Sequence, residues 1–449
     1  MDKNVTLEKI VSLAKRRGFI WQGSEVYGGM RGTWDYGPLG LSLKRKIMNE
    51  WWQFFVDNRS DMYGVDAAII MNPKTWHASG HAATFADPLV EDLKTGERYR
   101  ADHLLKDNGI DAEGLSNEKI TEIIREKGLK SPKGNDLSEV RSFNMMFQTN
   151  VGAVVNDNSV AFLRPETAQG IFTNYKNVVD AFYPDLPFGL AQQGKAFRNE
   201  ISPRDFVFRS REFEQMEIEY FVHPEKWEEN FEGLLADTLE FLTEKMGLKK
   251  ENLHLLEVPE EDRAHYSKRT VDLEYNYPIG KEELMGIAYR TDFDLGNIER
   301  ASGKNMAYVD KNSKEKFIPH VIEPSFGVER LLMAVLTESY REIETDGKIR
   351  TFLALPENLA PVKIIVAPLL KNKENLVEEA RRVYAILKKK YGNVELDLSG
   401  KVGKVYAKAD EIGVPRVVVI DFDTIEGDGL VSVRNRDDAS QIRVELEEI

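Results

Sequence analysis

Between Gln193 and Phe221 the chain reads QGKAFRNEISPRDFVFRSREFEQMEIEYF. Two strand-like segments flank a loop containing Ser202 and Pro203, so the stretch is expected to fold back as a hairpin. Residues two apart share a face of a strand. Arg198 and Glu200 therefore point the same way on the first segment. Phe213, Gln215, Glu217 and Glu219 do so on the second, with Arg209 and Arg211 just before them. Such a surface presents guanidinium groups, carboxylates and an aromatic plane together. Arginine takes a polyphosphate by bidentate, charge-assisted contacts, and an aromatic ring takes a purine by stacking. The alternative is a hairpin laced with cross-strand ion pairs, each contributing about 0–1 kcal/mol. A second candidate is HVIEPSFGVERLLMAVLT, His320–Thr337. Here a strand is expected to end at Glu323 and Pro324, Ser325–Gly327 to turn, and an apolar helix to begin near Val328. Arg330 then lies in the first helical turn, where free N–H groups and the helix dipole already attract anions.

The elements that must hold these residues divide at a polar seam near 341–361, REIETDGKIRTFLALPENLAP. Beyond it, Val362–Ala367, Val394–Leu398 and Val417–Ile420 read as strands, and 375–391 and 401–412 as helices. That alternation argues for a small α/β domain with a mainly parallel sheet. Before the seam the chain reads as α+β. Leu41–Val56 is a long amphipathic helix, 65–70 (VDAAII) a strand ended by Asn72 and Pro73, and 90–155 a polar insertion with helical pieces around 116–127. Apolar strands are expected at 160–163, 188–197, 212–222, 284–289 and 317–323, and their succession without crossover helices favours an antiparallel sheet. The domains expected are thus 1–89 with 156–345, the 90–155 insertion, a linker at 346–360, and 361–449.

The 449 residues are 42% hydrophobic and 30% charged, enough apolar material for sizeable cores. The absence of cysteine excludes disulfides, thiolate zinc sites and cysteine nucleophiles, and fits a reducing interior. No run approaches the ~18–20 apolar residues of a membrane span, and the first residues carry no apolar h-region. A cytoplasmic protein without membrane contact is expected. Lys and Arg number 61 against 75 Asp and Glu, a net charge of −14. From Pro361 onward the counts are 15 and 16, so the acidity belongs to the larger part, and a near-neutral tail permits a polyanion partner. His77 and His81, in WHASGH, have i,i+4 spacing but no third ligand beside them, so a structural or substrate-contact role is favoured over a metal. Asp292 and Asp294 are expected to orient Arg290 or the pocket. Trp51, Trp52, Phe54 and Phe55 are expected in the core and a subunit interface.

Together the two chemical segments resemble the second and third signature motifs of class II aminoacyl-tRNA synthetases. The second is Phe197-Arg198-Asn199-Glu200 followed by Arg209, Phe213 and Glu217; the third is Gly327 with Arg330. The helix at 41–56, the strand at 65–70 and Pro73 fit the first. Within that class the stretches SEVYGGMRGTWDYGPLG, RPETAQGIF, REFEQMEIEYF, ELMGIAYRTDFDL and EPSFGVER are similar to the homodimeric glycyl-tRNA synthetases, over most of 24–330. The tail resembles the anticodon-binding domain of the same subclass.

The resemblance implies an antiparallel-sheet catalytic domain that activates glycine with ATP and transfers it to tRNA(Gly) through a glycyl-adenylate. It assigns ATP binding to Arg198, Asn199, Glu200, Phe208, Arg209, Phe213, Glu283, Leu284, Gly327 and Arg330, with Arg198 and Arg330 catalytic. Arg198 is expected on the α-phosphate, Arg209 and Arg330 on the γ-phosphate, Phe213 against adenine, and Glu283 on Mg²⁺ beside ATP, with no zinc. It assigns glycine binding to Arg100, Glu166, Glu217, Arg290, Glu323 and Ser325. Glycine has no side chain to read, so its ammonium and carboxylate must supply the binding energy, and larger amino acids are refused by steric overlap. Retention of the arginines separates this reading from a non-catalytic accessory relative. The missing cysteine argues against a zinc-dependent threonine pocket.

Overall fold

In a computed structural model, described over residues 5–112, 115–154, 159–264, 266–345 and 347–449, seven strands form the principal sheet. They are β1 (Met62–Gly64), β2 (Phe188–Phe197), β3 (Glu212–Val222), β4 (Leu253–Glu257), β5 (Arg269–Tyr277), β6 (Gly280–Thr291) and β7 (His320–Gly327). Their order is β4-β5-β6-β7-β3-β2-β1, antiparallel throughout except for the edge pair β1 and β2. β2 and β3 are the expected hairpin, with Phe213 opposite Ala196 and Glu217 opposite Gln192. β3 then runs against β7, which sets Gln215 opposite Gly327 and Glu217 opposite Ser325.

One face of the sheet is closed by helix α1 (Pro38–Trp52), whose Leu43, Ile47 and Trp51 are buried, and by helix α2 (Val328–Ser339). Pro38 opens α1 at its first position, where a missing N–H costs nothing. Trp51 meets Phe55 and Phe326, so α1 seals against the sheet of its own chain. Trp51 and Phe55 of the aromatic run are thus buried in the core, while Trp52 and Phe54 are half-buried. Every residue of α2 is buried except Arg330.

Two expectations are corrected. Residues 65–70 are not a strand: pairing with β2 stops after Val65 donates to the Ala191 carbonyl, and Arg164 then occupies the Ala67 carbonyl. Ser325–Gly327 is not a turn: β7 continues to Gly327 and α2 begins at the next residue. The expected insertion contributes Arg98–Arg100 and Arg141–Asn144 to a three-stranded sheet whose middle strand, Ala86–Glu91, begins before its expected first residue, and it carries helices Ala101–Asp107 and Asn117–Glu126. Its expected end at 155 and the first linker residue, 346, lie outside the described residues.

The expected linker contains a strand: Lys348–Leu353 pairs with Tyr340–Thr345 as an antiparallel hairpin. The C-terminal sheet comprises β8 (Ile364–Pro368), β9 (Val394–Leu396), β10 (Arg416–Ile420), β11 (Val431–Asn435) and β12 (Gln441–Val444), in the order β9-β8-β10-β11-β12. The first three are parallel, as expected, but β11 and β12 add antiparallel pairings and make the sheet mixed. Helices Glu374–Tyr391 and Val402–Glu411 supply the crossovers.

Candidate active site

The principal sheet, α2, Asp262–Ala264 and Tyr266 enclose a cavity of about 440 Å³. Its wall includes Arg198, Glu200, Phe208, Arg209, Phe213, Glu283, Leu284, Gly327 and Arg330, together with Arg100, Glu166, Glu217, Glu323 and Ser325. Two of the expected residues are not on that wall. Asn199 points its backbone N–H at the Met145 carbonyl (2.7 Å), against the insertion. Arg290 is fully buried one layer behind Glu323.

At one end stand the cations. Arg198 donates to the Pro165 carbonyl (3.1 Å) and lies between the rings of Phe213 and Phe85, at 5.3 and 5.4 Å. Arg330 pairs with Glu283 (2.9 Å) and rests on Phe208 at 4.6 Å. Arg209 faces Glu200 at 3.7 Å. Arg330 holds the Glu283 carboxyl below its ordinary range, while burial, then Glu283, push Asp272 up to about 7. Arg100 sits on the insertion side of the wall, tied to Asp87 (2.8 Å) and Asp102, with Glu200 and Arg209 as its charged neighbours in the cavity.

At the other end stand the acids. Glu217 accepts from the Thr167 backbone N–H (3.0 Å) and hydroxyl, from Ser325 (2.7 Å) and from Gln215 (2.9 Å). The cross-strand register of β3 on β7 makes the Ser325 contact, and Gly286 opposite Ser325 on β6 keeps that floor low. Burial and Glu166 push Glu217 upward against these donors, which favour its anion. Arg290 grips Asp294 through two nitrogens (2.7 and 2.9 Å) and Glu323 through a third (2.8 Å), between Phe172 and Tyr266. The expectation that Asp294 orients Arg290 matches this geometry. Burial raises Glu323 to about 8; Arg290 opposes that rise, and Glu217 and Glu166 add to it. Burial also acts to raise Glu166, but His81, Arg290 and Arg198 outweigh it and bring the carboxyl down to about 2. The cavity thus separates a cationic, aromatic end fit for a nucleoside polyphosphate from an acidic end fit for a small ammonium.

Residues 153–340 match the tRNA synthetase class II core domain (G, H, P, S and T), and residues 363–449 match an anticodon binding domain. A glycine–tRNA ligase of Caldanaerobacter subterraneus is 46% identical over the whole of this chain and 98% of its own length. The chain belongs to the glycine–tRNA ligase family. Relatives of that name from Acetivibrio thermocellus and Deinococcus radiodurans are 45% and 44% identical, over 100% and 99% of this chain and 98% and 97% of their own. As a class II synthetase the chain has the antiparallel core and C-terminal domain described above.

In this member of the family several wall residues escape a reading by motif. Tyr266 and Asp272 both face the cavity. Asp272 had a signal, since acids alternate with apolar residues along β5 and one of them had to face inward. Thr167 was visible in RPETAQG, but only the fold shows it capping Glu217. His77 and His81 do not share a helix: Pro73–Ala78 and His81–Thr84 are separated by Gly80, whose φ of +89° suits glycine.

Proposed function

We propose that this chain attaches glycine to tRNA(Gly) in two steps. The glycine carboxylate attacks the α-phosphorus of ATP, a P–O bond to the departing pyrophosphate breaks, and glycyl-adenylate forms. The terminal ribose hydroxyl of the tRNA then attacks the glycyl carbonyl, and AMP leaves. No protein nucleophile is needed, so the work is positioning and charge stabilisation. The observation that carries this reading is one cavity holding Arg198, Arg209 and Arg330 at one end and Glu166, Glu217 and Glu323 at the other.

Arg198, the cation whose charge also acts on Glu166, is assigned to the α-phosphate and the attacking carboxylate, where negative charge grows. Arg209 and Arg330 take the outer phosphates, Phe208 and Phe213 offer ring faces to the base, and Glu200 steers Arg209. Glu166, Glu217 and Glu323 surround the glycine ammonium, with Ser325 fixing Glu217 and Arg290 fixing Glu323 from behind. Arg100, by its place beside Glu200 and Arg209, is assigned to the phosphate side of the cavity rather than to the ammonium. Refusal of amino acids larger than glycine is assigned to steric overlap at the α-carbon.

Among the described residues no group of three or more histidines and acids is arranged to hold a metal by itself. Magnesium ordinarily takes one or two carboxylates and completes its shell with substrate phosphates and water. Glu283 and the crowded Asp272 beside it supply that donor set. Magnesium bound there with ATP would neutralise phosphate charge and favour pyrophosphate as leaving group.

The near-neutral C-terminal domain is assigned to the anticodon end of the tRNA. A homodimer acting in the cytoplasm completes the proposal on the strength of the family alone, and no helix is long and apolar enough to cross a membrane among the described residues. Charging of a tRNA(Gly) transcript with labelled glycine tests the reading. Accumulation of glycyl-tRNA that depends on ATP is expected, and failure to form it with active, folded protein would overturn the assignment. Light scattering tests the dimer, which a monomeric mass at working concentration would exclude.

A further inference from the structure

We propose that His81 is a positioning residue for glycine binding, which aims Glu166 at the ammonium and keeps that carboxylate fixed. The proposal rests on the reading that Glu166 takes the glycine ammonium. His81 opens the short helix His81–Thr84 and is only 7% exposed, as is Glu166. Its Nε2 lies 3.2 Å from Glu166 Oε2, and its Nδ1 lies 2.8 Å from the Ser79 hydroxyl. The ring is wedged between Trp76, edge-on at 5.7 Å, and Phe85 at 5.5 Å. Both ring nitrogens are thus engaged and the ring plane is clamped, so Nε2 presents an N–H to the carboxylate in one direction.

Among the described residues Glu166 has one other side-chain hydrogen-bond partner, Gln169, at 3.4 Å. Gln169 directs the same amide nitrogen to Asp294 at 2.8 Å, the shorter contact. The bond from His81 is therefore the main restraint on Glu166. His81 itself is not on the cavity wall, whereas Glu166 is. A histidine in this place acts through the carboxylate and not on glycine directly. Its engagement of Oε2 leaves the remaining lone pairs of Glu166 for the ligand and favours the anion over the acid. Second-layer donors of this kind orient a ligand-binding group without touching the ligand.

The test is a set of variants in glycine-dependent ATP–pyrophosphate exchange. His81→Phe keeps a flat ring between Trp76 and Phe85 but has no N–H. His81→Gln carries an amide that reaches the Nε2 position. His81→Phe is expected to raise KM for glycine roughly tenfold, the size of a lost hydrogen bond to a charged group, and to leave KM for ATP and kcat within about twofold. His81→Gln should restore KM for glycine to within about threefold of the parent. Glu166→Gln should raise KM for glycine at least as far, and the double variant His81→Phe/Glu166→Gln should match Glu166→Gln alone, because His81 acts through that side chain.

The proposal is overturned if Glu166→Gln raises KM for glycine while His81→Phe leaves it unchanged, or if the two effects multiply in the double variant. If Glu166→Gln has no effect, the glycine-pocket reading fails, and the inference fails with it. Should phenylalanine prevent folding, His81→Asn takes its place in the same cycle. It keeps a polar group toward Ser79 but cannot reach Glu166.

Discussion

Arg330 is the single residue of its helix that escapes burial, and it does so into the cavity, over the ring of Phe208 and against Glu283. Arg198 is held as firmly, by the Pro165 carbonyl and the Phe85 ring from outside the site and by Phe213 within it. Arg198→Ala should therefore abolish pyrophosphate exchange, at least 10²-fold, while shifting unfolding by less than about 1 kcal/mol, since it leaves no buried cavity. Glu323 gives a pH signature. Its folded value of about 8 means that the empty pocket holds a proton there at neutral pH. An ammonium partner requires the anion, so glycine binding releases that proton. KM for glycine should fall as pH rises from 6 toward 8, by up to about tenfold per unit, and flatten above 8. Glu323→Gln should remove the slope, and a pH-independent KM in the parent would contradict the protonated pocket. Much of the wall was legible at this scale because Phe213, Gln215 and Glu217 alternate with period two on β3, with Arg209 just before it. Arg290 was legible as a participant but not as a buried support, because its depth is set by Phe172 and Tyr266, distant in sequence.

The hairpin of β2 and β3 and the strand-to-helix passage of β7 into α2 carry Arg198, Arg209 and Arg330. Their rigidity comes from the other face of the sheet, where α1 and α2 bury Trp51, Leu332 and Val335. Trp51→Ala should cost about 3–5 kcal/mol in urea unfolding, because its neighbours Phe55 and Phe326 are themselves locked and cannot refill the space. A loss under about 1 kcal/mol would show that α1 is not the seal described. Alternation and apolar runs identified these elements, including the two crossover helices of the C-terminal domain, but not its short helix Phe422–Glu426. Where the elements depart from the sequence reading, a tertiary partner decides. VDAAII has strand composition, but Arg164 claims the Ala67 carbonyl and pairing stops at Val65. The 341–361 segment looks polar and irregular, yet two stretches of it find each other as a hairpin, a pairing that charged edge residues conceal.

At the scale of the whole molecule the two sheets share a core. Leu353, Leu355 and Leu359 from the connecting segment pack with Val362, Ile365, Val405 and Val417, in the same apolar cluster as Trp51 and Leu332. Arg350 and Arg434 both grip Asp410, and Arg436 donates to the Leu355 and Gly413 carbonyls, tying the hairpin to the C-terminal sheet. Calorimetry should therefore show the C-terminal domain unfolding together with the catalytic core in one transition; a separate early transition would mean that the shared core contributes little. The central claim is that one cavity pairs a polyphosphate-binding end with an acidic end shaped for glycine. ATP–pyrophosphate exchange measured with each of the twenty amino acids tests it most directly. The account predicts exchange with glycine alone, alanine and serine falling at least about 10²-fold lower. Equal exchange with alanine or threonine, or none with glycine, would contradict it.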